Sequence, residues 1–431
     1  MEKKIELKNL KGTCDFLPQE QELRSKIIDV LRGNFKKYGY LPLETPMLND
    51  FDLLKYKYED GAEILNEIYT LRDQGMRKLG LRYDLTIPFC KVIGLNQNLV
   101  MPFRRYEIGK VFRDGPVKAG RSREFYQCDV DVVGIDGRFV EIEQMQMVIS
   151  VFNELGIDIN IKWNNRQLMY GIIQNAGIEC DKIDKVVGLV DRLEKITYKE
   201  LLFEFSKLGI SNETVQNLLD DFSKSLQELG EKFVDTQNVA LKTGLEECVE
   251  IQNLIDELGM NDSTEFSPKL ARGLGIYTGT VFEFFDKKNR ISSSLGGGGR
   301  YNKIITEFMD NGMQYPAVGL SFGLEPIYYI LSSEQTQRFV DVLLVPMGTE
   351  VECIKVAEKL RSNGIKTIID FVNKKVRKSF EFANKSNIKF VMVVGEDEIS
   401  QNIFSIKDMD VGEQQKMGLD EFITFIKANI K

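Results

Sequence analysis

Apolar residues recur along the chain at two spacings, and these spacings predict where its helices and strands lie. A recurrence every three to four residues between 19 and 38 predicts an amphipathic helix. Residues 140–156 show the same spacing and end at Gly156, a residue type that commonly closes helices. The apolar face of the first helix is formed by Leu23, Ile27, Ile28, Leu31 and Phe35.

Two pairs of strand-like segments flank turn-forming residues and therefore predict β-hairpins. IYTLRD and LGLRYDLTIP flank the turn QGMRK, while MPFRRYEIGKVFR and REFYQCDVDVVG flank a loop from Asp114 to Ser122. Between about residues 167 and 265 the pattern is helical and charged, and beyond it a strand is predicted to begin near Tyr277. We therefore expect a helical insertion within a β-rich domain.

The last hundred residues alternate between buried strands and amphipathic helices. The strands FVDVLLVPMG, IKTIIDF and KFVMVVG alternate with the helices EVECIKVAEKLRSNG, KKVRKSFEFANKSN and LDEFITFIKANI. This alternation predicts an α/β domain at 338–431 with a largely parallel sheet. A linker at 331–337 would join it to a first domain of residues 1–330.

Composition narrows the class of protein. A chain of 431 residues, 43% of them hydrophobic, is typical of a folded protein with more than one domain. Its net charge of −8 excludes a general attraction to nucleic acid, so any polyanion must be held by local cations. The six scattered cysteines argue against a zinc site or a disulfide framework. Without an apolar leader or a membrane-length apolar run, a soluble cytoplasmic protein with no membrane partner is expected.

The chain contains no histidine. This excludes catalytic triads with an imidazole base, Cys–His pairs, HExxH zinc hydrolysis and proton transfer by imidazole. Carboxylate, thiol, amine or phenol chemistry remains, together with catalysis by positioning and charge stabilisation.

The second hairpin combines cations with a polar strand face. Arg113 ends its first strand and Arg121 lies at the far end of its loop. One interpretation of this hairpin is a nucleotide site, in which guanidinium groups bind a polyphosphate and an aromatic ring stacks on a base. The alternative is an exposed sheet face whose charges pair with one another. Because alternate residues share a face, the polar face holds Arg123, Phe125, Gln127, Asp129 and Asp131, and the core face holds Tyr126, Cys128, Val130 and Val132.

A second unusual segment, SLGGGGRYNKII, carries four consecutive glycines from Gly296 to Gly299. Such a run lets a ligand approach the backbone closely, or it forms a flexible turn. It lacks the spacing of a P-loop or of a dinucleotide-binding turn. Arg272 and Tyr277, in LARGLGIYTGTVFEFF, are expected to converge with the glycines on one sheet.

Taken in order, these segments resemble the motifs of the histidyl-tRNA synthetases, a class II aminoacyl-tRNA synthetase family. KGTCDFLP resembles the family's opening motif, and YGYLPLETPML resembles motif 1, which forms the dimer interface in the family. FRDGPVKAGRSREFYQCDVDVVG resembles motif 2, ARGLGIYTGTVFE and GGGRY resemble the histidine-binding segments, and AVGLSFGLEPI resembles motif 3. The tail resembles the anticodon-binding domain, so the resemblance covers essentially the whole chain.

This resemblance implies an α+β fold, with an antiparallel-sheet class II catalytic core, a helical insertion and a C-terminal α/β anticodon-binding domain. It implies a homodimer that uses ATP and Mg²⁺ to form histidyl-adenylate and then charges the 3′ end of tRNA(His). The carboxylate of histidine attacks ATP itself, so a chain without imidazole can catalyse the reaction by charge stabilisation.

The resemblance also assigns roles to single residues, none of them a metal ligand. The histidine-binding residues would be Asp84, Thr86 and Gln127 for the ammonium group, with Asp131, Ile276 and Tyr277 in the imidazole pocket. The ATP-binding residues would be Arg113, Arg121 and Phe125, and the catalytic cations would be Arg272 and Arg113.

Some positions depart from the family pattern. Gly275 and Ile276 replace the usual Asp-Tyr pair, and Pro326 stands where motif 3 usually has an arginine. Since proline cannot bind a phosphate, either Lys118 or Arg123 takes that role or ATP binds less tightly.

Two other interpretations remain open at this point. The regulatory subunit of ATP phosphoribosyltransferase shares the core fold but charges no tRNA. Pro326 favours that interpretation, whereas Arg113, Arg272 and the domain at 338–431 count against it. Proline and threonine synthetases share the domain order, but the Arg272–Tyr277 segment is typical of the histidine family.

Overall fold

The computed structural model divides the chain into two compact units. Residues 1–15 and 24–333 form the first unit, and residues 16–23 and 334–431 form the second. The linker predicted at 331–337 lies partly outside the described residues. The residues that the structure describes are 6–56, 63–117, 120–193, 196–272, 275–333, 338–372 and 375–429.

Helices and strands of the described residues follow the predicted order. The helices are Pro18–Lys37 (α1), Phe51–Lys55 (α2), Glu63–Asn66 (α3), Thr86–Leu95 (α4), Phe139–Leu155 (α5), Arg166–Asn175 (α6), Ile183–Val190 (α7), Tyr198–Lys207 (α8), Asn212–Asp221 (α9), Leu226–Lys232 (α10), Val239–Glu257 (α11), Asn302–Met309 (α12), Leu324–Ser332 (α13), Glu350–Ser362 (α14), Val376–Lys385 (α15), Glu396–Gln401 (α16) and Leu419–Asn429 (α17). The strands are Leu41–Pro42 (β1), Leu48–Asp50 (β2), Thr70–Arg72 (β3), Lys78–Leu81 (β4), Phe103–Phe112 (β5), Glu124–Val133 (β6), Ile159–Asn165 (β7), Thr264–Phe266 (β8), Thr280–Asp286 (β9), Gly296–Arg300 (β10), Ala317–Gly323 (β11), Val342–Pro346 (β12), Thr367–Ile369 (β13), Phe390–Val394 (β14), Ile403–Asp408 (β15) and Gln414–Gly418 (β16).

The first unit is built on an eight-stranded sheet in the order β1-β5-β6-β11-β10-β9-β7-β8. Its five central pairs, from β5·β6 to β9·β7, are antiparallel, and the two pairs at the edges are parallel. Both predicted hairpins are present, with Arg72 opposite Lys78 and Phe112 opposite Glu124. The α+β class with a large antiparallel sheet is therefore confirmed.

Four aromatic rings fix two helices to one face of this sheet. Phe322 of β11 packs at 5.2 Å from Phe284 of β9, at 5.7 Å from Phe35 of α1 and at 5.9 Å from Phe152 of α5, measured between ring centroids. Cys128 lies opposite Phe322 across the strands, so the predicted core face of β6 is the face that these helices cover. The opposite face of the central strands remains available for a site.

Helices α6 to α11 occupy the predicted insertion, between β7 and β8. Two glycines allow α6 and α11 to pack backbone against backbone, because a Cβ atom on Gly244 would overlap the amide nitrogen of Leu168. None of the helices in the described ranges combines the length and hydropathy that a membrane-spanning helix requires.

The second unit contains a five-stranded sheet in the order β13-β12-β14-β15-β16. The first two pairs are parallel, as predicted. The prediction of a largely parallel sheet is wrong for the other half, because β15 and β16 form an antiparallel hairpin whose polar strands carry no continuous apolar run.

Candidate active site

A cavity of about 230 Å³ lies on the face of the first sheet opposite the aromatic rings. It gathers residues from the second hairpin, from the start of α4, from the segment before β9 and from β10 and β11. Eight of the residues assigned from the sequence line it, namely Asp84, Thr86, Arg113, Gln127, Asp131, Arg272, Ile276 and Tyr277. Residues nearly 200 positions apart are thus brought together by strand pairing.

The floor of the cavity is a stripe of glycines. The glycine run is neither a turn nor a loop: it forms β10, in the middle of the sheet between β9 and β11. A Cβ atom on Gly297 would overlap the guanidinium group of Arg272, and one on Gly319 would overlap the carboxylate of Asp131. These glycines therefore let two charged side chains lie flat on the sheet.

Asp131 is held from two sides. Its Oδ2 lies 2.7 Å from Nη2 of Arg105, and the hydroxyl of Tyr301 donates a hydrogen bond to its Oδ1. Burial raises the pKa of Asp131, and the Arg105 guanidinium opposes that rise. Arg105 is itself completely buried and stacks 4.4 Å above the ring of Phe89, so its charge is fixed in place.

Arg272 projects from the segment preceding β9. Its Nη1 lies 3.4 Å from Oε1 of Glu283, and its guanidinium group lies 5.6 Å from the ring centroid of Tyr277. The strand predicted to begin near Tyr277 begins three residues later, at Thr280, and Tyr277 lies in the preceding segment, where its side chain is 9% exposed and lines the cavity.

Arg113 also lines the cavity. Its Nε donates to the carbonyl oxygen of Tyr83 at 3.0 Å, and its guanidinium group lies 5.2 Å from the ring centroid of Phe125. Asp84 and Thr86 lie at the start of α4, where Asp84 accepts a hydrogen bond from the backbone nitrogen of Ile87.

Two assigned cations lie outside the cavity wall. Arg121 is half-exposed and lies 3.5 Å from Glu67, and Arg123 is paired with Asp114 at 3.0 Å. Lys118, the other suggested substitute for a motif 3 arginine, lies outside the described residues. Arg121 would therefore have to leave Glu67 in order to reach a ligand in the cavity.

Pro326 is the third residue of α13 and packs against Gly323. The preceding residue, Glu325, forms a buried ion pair with Arg24 at 2.9 Å and faces the covered side of the sheet. Pro326 is thus accommodated in the first turn of the helix, where proline costs little.

Sequence reasoning missed four polar residues that line the cavity, namely Tyr83, Asp129, Tyr301 and Ser321. Asp129 and Ser321 face each other across β6 and β11, and Tyr301 follows the glycine strand. The alternation of β6 placed Asp129 on the polar face, so that signal was available. Ser321 and Tyr301 lie in segments that resemble family motifs, but their place in the cavity depends on which strands become neighbours.

Comparisons with known proteins identify the family of this chain. Residues 12–327 match the family model of histidyl-tRNA synthetase, and residues 341–429 match that of the anticodon-binding domain. Curated proteins named histidine–tRNA ligase 1, from Bacillus cereus and Bacillus anthracis, are each 44% identical over 425 residues, which is 98% of this chain and 100% of theirs.

Among solved structures, the histidyl-tRNA synthetase of a Nostoc species has a TM-score of 0.87 at 28% identity and covers 99% of this chain and 100% of its own. A Bacillus halodurans protein described as an ATP phosphoribosyltransferase regulatory subunit/histidyl-tRNA synthetase has a TM-score of 0.75, covering 92% of this chain and 100% of its own. At 20% identity, that second likeness shows the fold alone. The family models and the 44% identity show more than the fold: the chain belongs to the histidyl-tRNA synthetase family.

Proposed function

We propose that this protein activates histidine with ATP and transfers the histidyl group to the 3′ end of tRNA(His). The observation that carries the proposal is a single cavity in which Arg272 lies flat on a glycine strand near the buried carboxylate Asp131. A guanidinium group suits a phosphate, and a fixed carboxylate suits a ring N–H. The cavity therefore offers places for both substrates of an adenylation.

We place the amino acid at the part of the cavity that carries the carboxylate side chains. We assign Asp131 and Tyr277 to the imidazole ring and Asp84, Thr86 and Gln127 to the ammonium group. Arg105 and Tyr301 fix the orientation of Asp131, which supports its role in reading a ring of defined geometry. Ile276 is partly buried and contributes an apolar wall.

We place ATP at the part of the cavity that carries the arginine side chains. We assign Arg113 to the phosphates, Phe125 to stacking on adenine, and Arg121 to a second phosphate contact made after release from Glu67. A carboxylate oxygen of histidine would attack the α-phosphorus, and pyrophosphate would leave with its electron pair. Arg272 would stabilise the charge that develops on the α-phosphate oxygens. The tRNA 3′-terminal hydroxyl would then attack the carbonyl carbon and release AMP.

The reaction also calls for a divalent cation. Within the described part of the chain, no group of three or more cysteine, aspartate or glutamate side chains could hold a metal ion. We propose that Mg²⁺ enters bound to ATP, whose phosphate oxygens are ligands that this ion prefers.

The remaining assignments follow from the family. We propose that residues 1–330 form the catalytic domain and that residues 338–431 contact the anticodon of tRNA(His) in the cytoplasm. We propose a homodimer formed through the motif 1 segment, since Leu41 and Leu48 in that segment are 67% and 48% exposed. The regulatory-subunit interpretation is not favoured, because the anticodon-binding model matches residues 341–429.

An ATP–pyrophosphate exchange assay tests this function. We expect exchange that depends on histidine and not on proline or threonine, followed by charging of tRNA(His). Histidine binding without any exchange would overturn the proposal and support a regulatory role instead.

A further inference from the structure

Asp129 lies on the cavity floor and has no role in the assignments above. It is 4% exposed and lines the cavity between Gln127 and Asp131 on the same face of β6. Among the residues that the structure describes, it forms no ion pair, although Asp131 lies 2.7 Å from Arg105. A buried carboxylate without a counter-ion is costly, so its retention in a cavity suggests that a ligand supplies the charge.

Asp129 differs in its ion pairing from the other carboxylates that lie in the same row across neighbouring strands. Glu107, directly opposite on β5, lies 2.8 Å from Arg82, and Glu283, further along the row on β9, lies 3.4 Å from Arg272. Each of these carboxylates has an arginine, whereas Asp129 accepts only neutral hydrogen bonds. Gln127 Nε2 lies 3.5 Å from its Oδ1, and the Ser321 hydroxyl donates to it.

The side-chain amide of Gln127 also contains an unsatisfied acceptor. Oε1 of Gln127 is buried and has no hydrogen-bond partner within the described ranges, because the Nε2 atom of the same amide is directed to Ser321 Oγ at 3.2 Å. One strand face thus carries, at adjacent positions, a carboxylate without an ion pair among the described residues and an amide oxygen without a donor. A primary ammonium group, with three N–H donors and a positive charge, satisfies both.

We propose that Asp129 is a specificity-determining residue that, together with Gln127, binds the α-ammonium group of the amino acid and rejects ligands of the same shape without it. This inference rests on the proposed function and deepens it, since it adds to the ammonium site a carboxylate that forms no ion pair with the described residues. Asp131 differs from Asp129, because one of its oxygens is paired with Arg105 at 2.7 Å and the other accepts a hydrogen bond from Tyr301.

Proton release follows from this placement. Burial raises the pKa of Asp129 to about 7, with Asp131 and Asp84 raising it further and Arg105 opposing them. An ammonium group beside Asp129 favours its ionised form, so binding near or below pH 7 displaces the carboxyl proton to solvent. The charged and polar groups that face Asp129 are Arg105 and Glu107 on β5, Asp131 on β6, Ser321 on β11, Asp84 before α4 and Arg272 beyond Gly297.

Calorimetry on the full-length chain without ATP tests the inference, with two ligands that differ only in the ammonium group. The two ligands are histidine and imidazolepropionate. The three proteins are the wild type, Asp129→Asn and Asp158→Asn, a control at an exposed position. At pH 8, Asp129→Asn should raise the Kd for histidine about 10- to 100-fold, as expected for one hydrogen bond between charged groups. The Kd for imidazolepropionate should stay within about twofold.

Proton counting provides the second readout. At pH 6, the wild type should release about one proton more than Asp129→Asn on binding histidine, and this difference should vanish above pH 8. Equal histidine affinity and equal proton release in both proteins, with normal exchange activity in the wild type, would overturn the inference alone. A wild type that neither binds histidine nor catalyses exchange would overturn the proposed function and the inference together.

Discussion

The guanidinium group of Arg272 lies directly over Gly297, at the place that a β-carbon would occupy. A β-carbon there would also lie 2.5 Å from the carbonyl oxygen of Phe282 and 2.9 Å from Cγ of Glu283. The cation proposed to stabilise adenylation is therefore positioned by a residue without a side chain, in the centre of a sheet.

Replacing Gly297 by alanine should displace Arg272 from the sheet. We expect the exchange rate to fall about 10²- to 10³-fold, as for loss of one transition-state donor, because the cation no longer reaches the α-phosphate. Gly188→Ala is the control, since a β-carbon at that helical position meets nothing within 4 Å. Histidine binding by calorimetry verifies that the variant is folded. An exchange rate equal to that of the control would contradict this account of the glycine strand.

Arg272→Gln tests the cation itself. Its loss should cost about 2.7–4 kcal/mol of transition-state stabilisation, measured as a fall in kcat for exchange with little change in KM for histidine. Arg77→Gln is a suitable control, because the Arg77 side chain is 79% exposed. If kcat were preserved while KM rose, Arg272 would be a ground-state binding residue instead.

Arg105 should matter for stability as well as for the site. Arg105→Met leaves Asp131 and Glu107 buried with one cation fewer, and breaking such a group typically costs about 3–5 kcal/mol. Urea unfolding at pH 7 measures this loss. Arg104→Met, the neighbouring residue with 24% of its side chain exposed, should cost much less. Equal destabilisation by the two variants would show that the buried charges contribute nothing specific.

The pKa of Asp129 predicts a pH-dependent stability with a definite sign. Its folded-state pKa of about 7 lies above the ordinary value of 3.8, so the folded state binds the proton more tightly than the unfolded state. The stabilising contribution of this group to the free energy of unfolding is fully present below about pH 4 and is lost as the pH rises to about 7. The free energy of unfolding of Asp129→Asn should therefore increase relative to the wild type between pH 4 and 8. A constant difference over that range would show that Asp129 does not titrate there.

The start of α15 is predicted to contact tRNA. Arg377 lies in the first turn, where the helix dipole disfavours a cation. Its side chain is 90% exposed and is paired with Glu381, one turn along. Arg377 belongs to the basic segment KKVRK at 374–378, of which Lys374 lies outside the described residues. Arg377→Glu should raise the KM for tRNA(His) several-fold and leave histidine-dependent exchange unchanged, because exchange requires no tRNA. Unchanged charging kinetics at physiological salt would show that these basic residues form a solvated helix face and do not contact tRNA.

The local pattern of the sequence determined much of the fold. Apolar residues every three to four positions predicted α1 and α5, and alternation in β6 separated the core face around Cys128 from the polar face with Gln127 and Asp131. These predictions succeeded because side-chain direction repeats with the backbone period, a property that neighbours in the chain fix without help from distant residues.

Only the tertiary structure decided what the glycine run and the cations do. Gly297 becomes part of a central strand because β9 and β11 flank it, and Arg121 lies against Glu67 instead of lining the cavity. That Asp129 forms no ion pair with the described residues is also invisible in the sequence, since charge compensation depends on which side chains meet across strands. Residue type and period are local quantities, whereas burial and ion pairing arise from contacts between segments far apart in the chain.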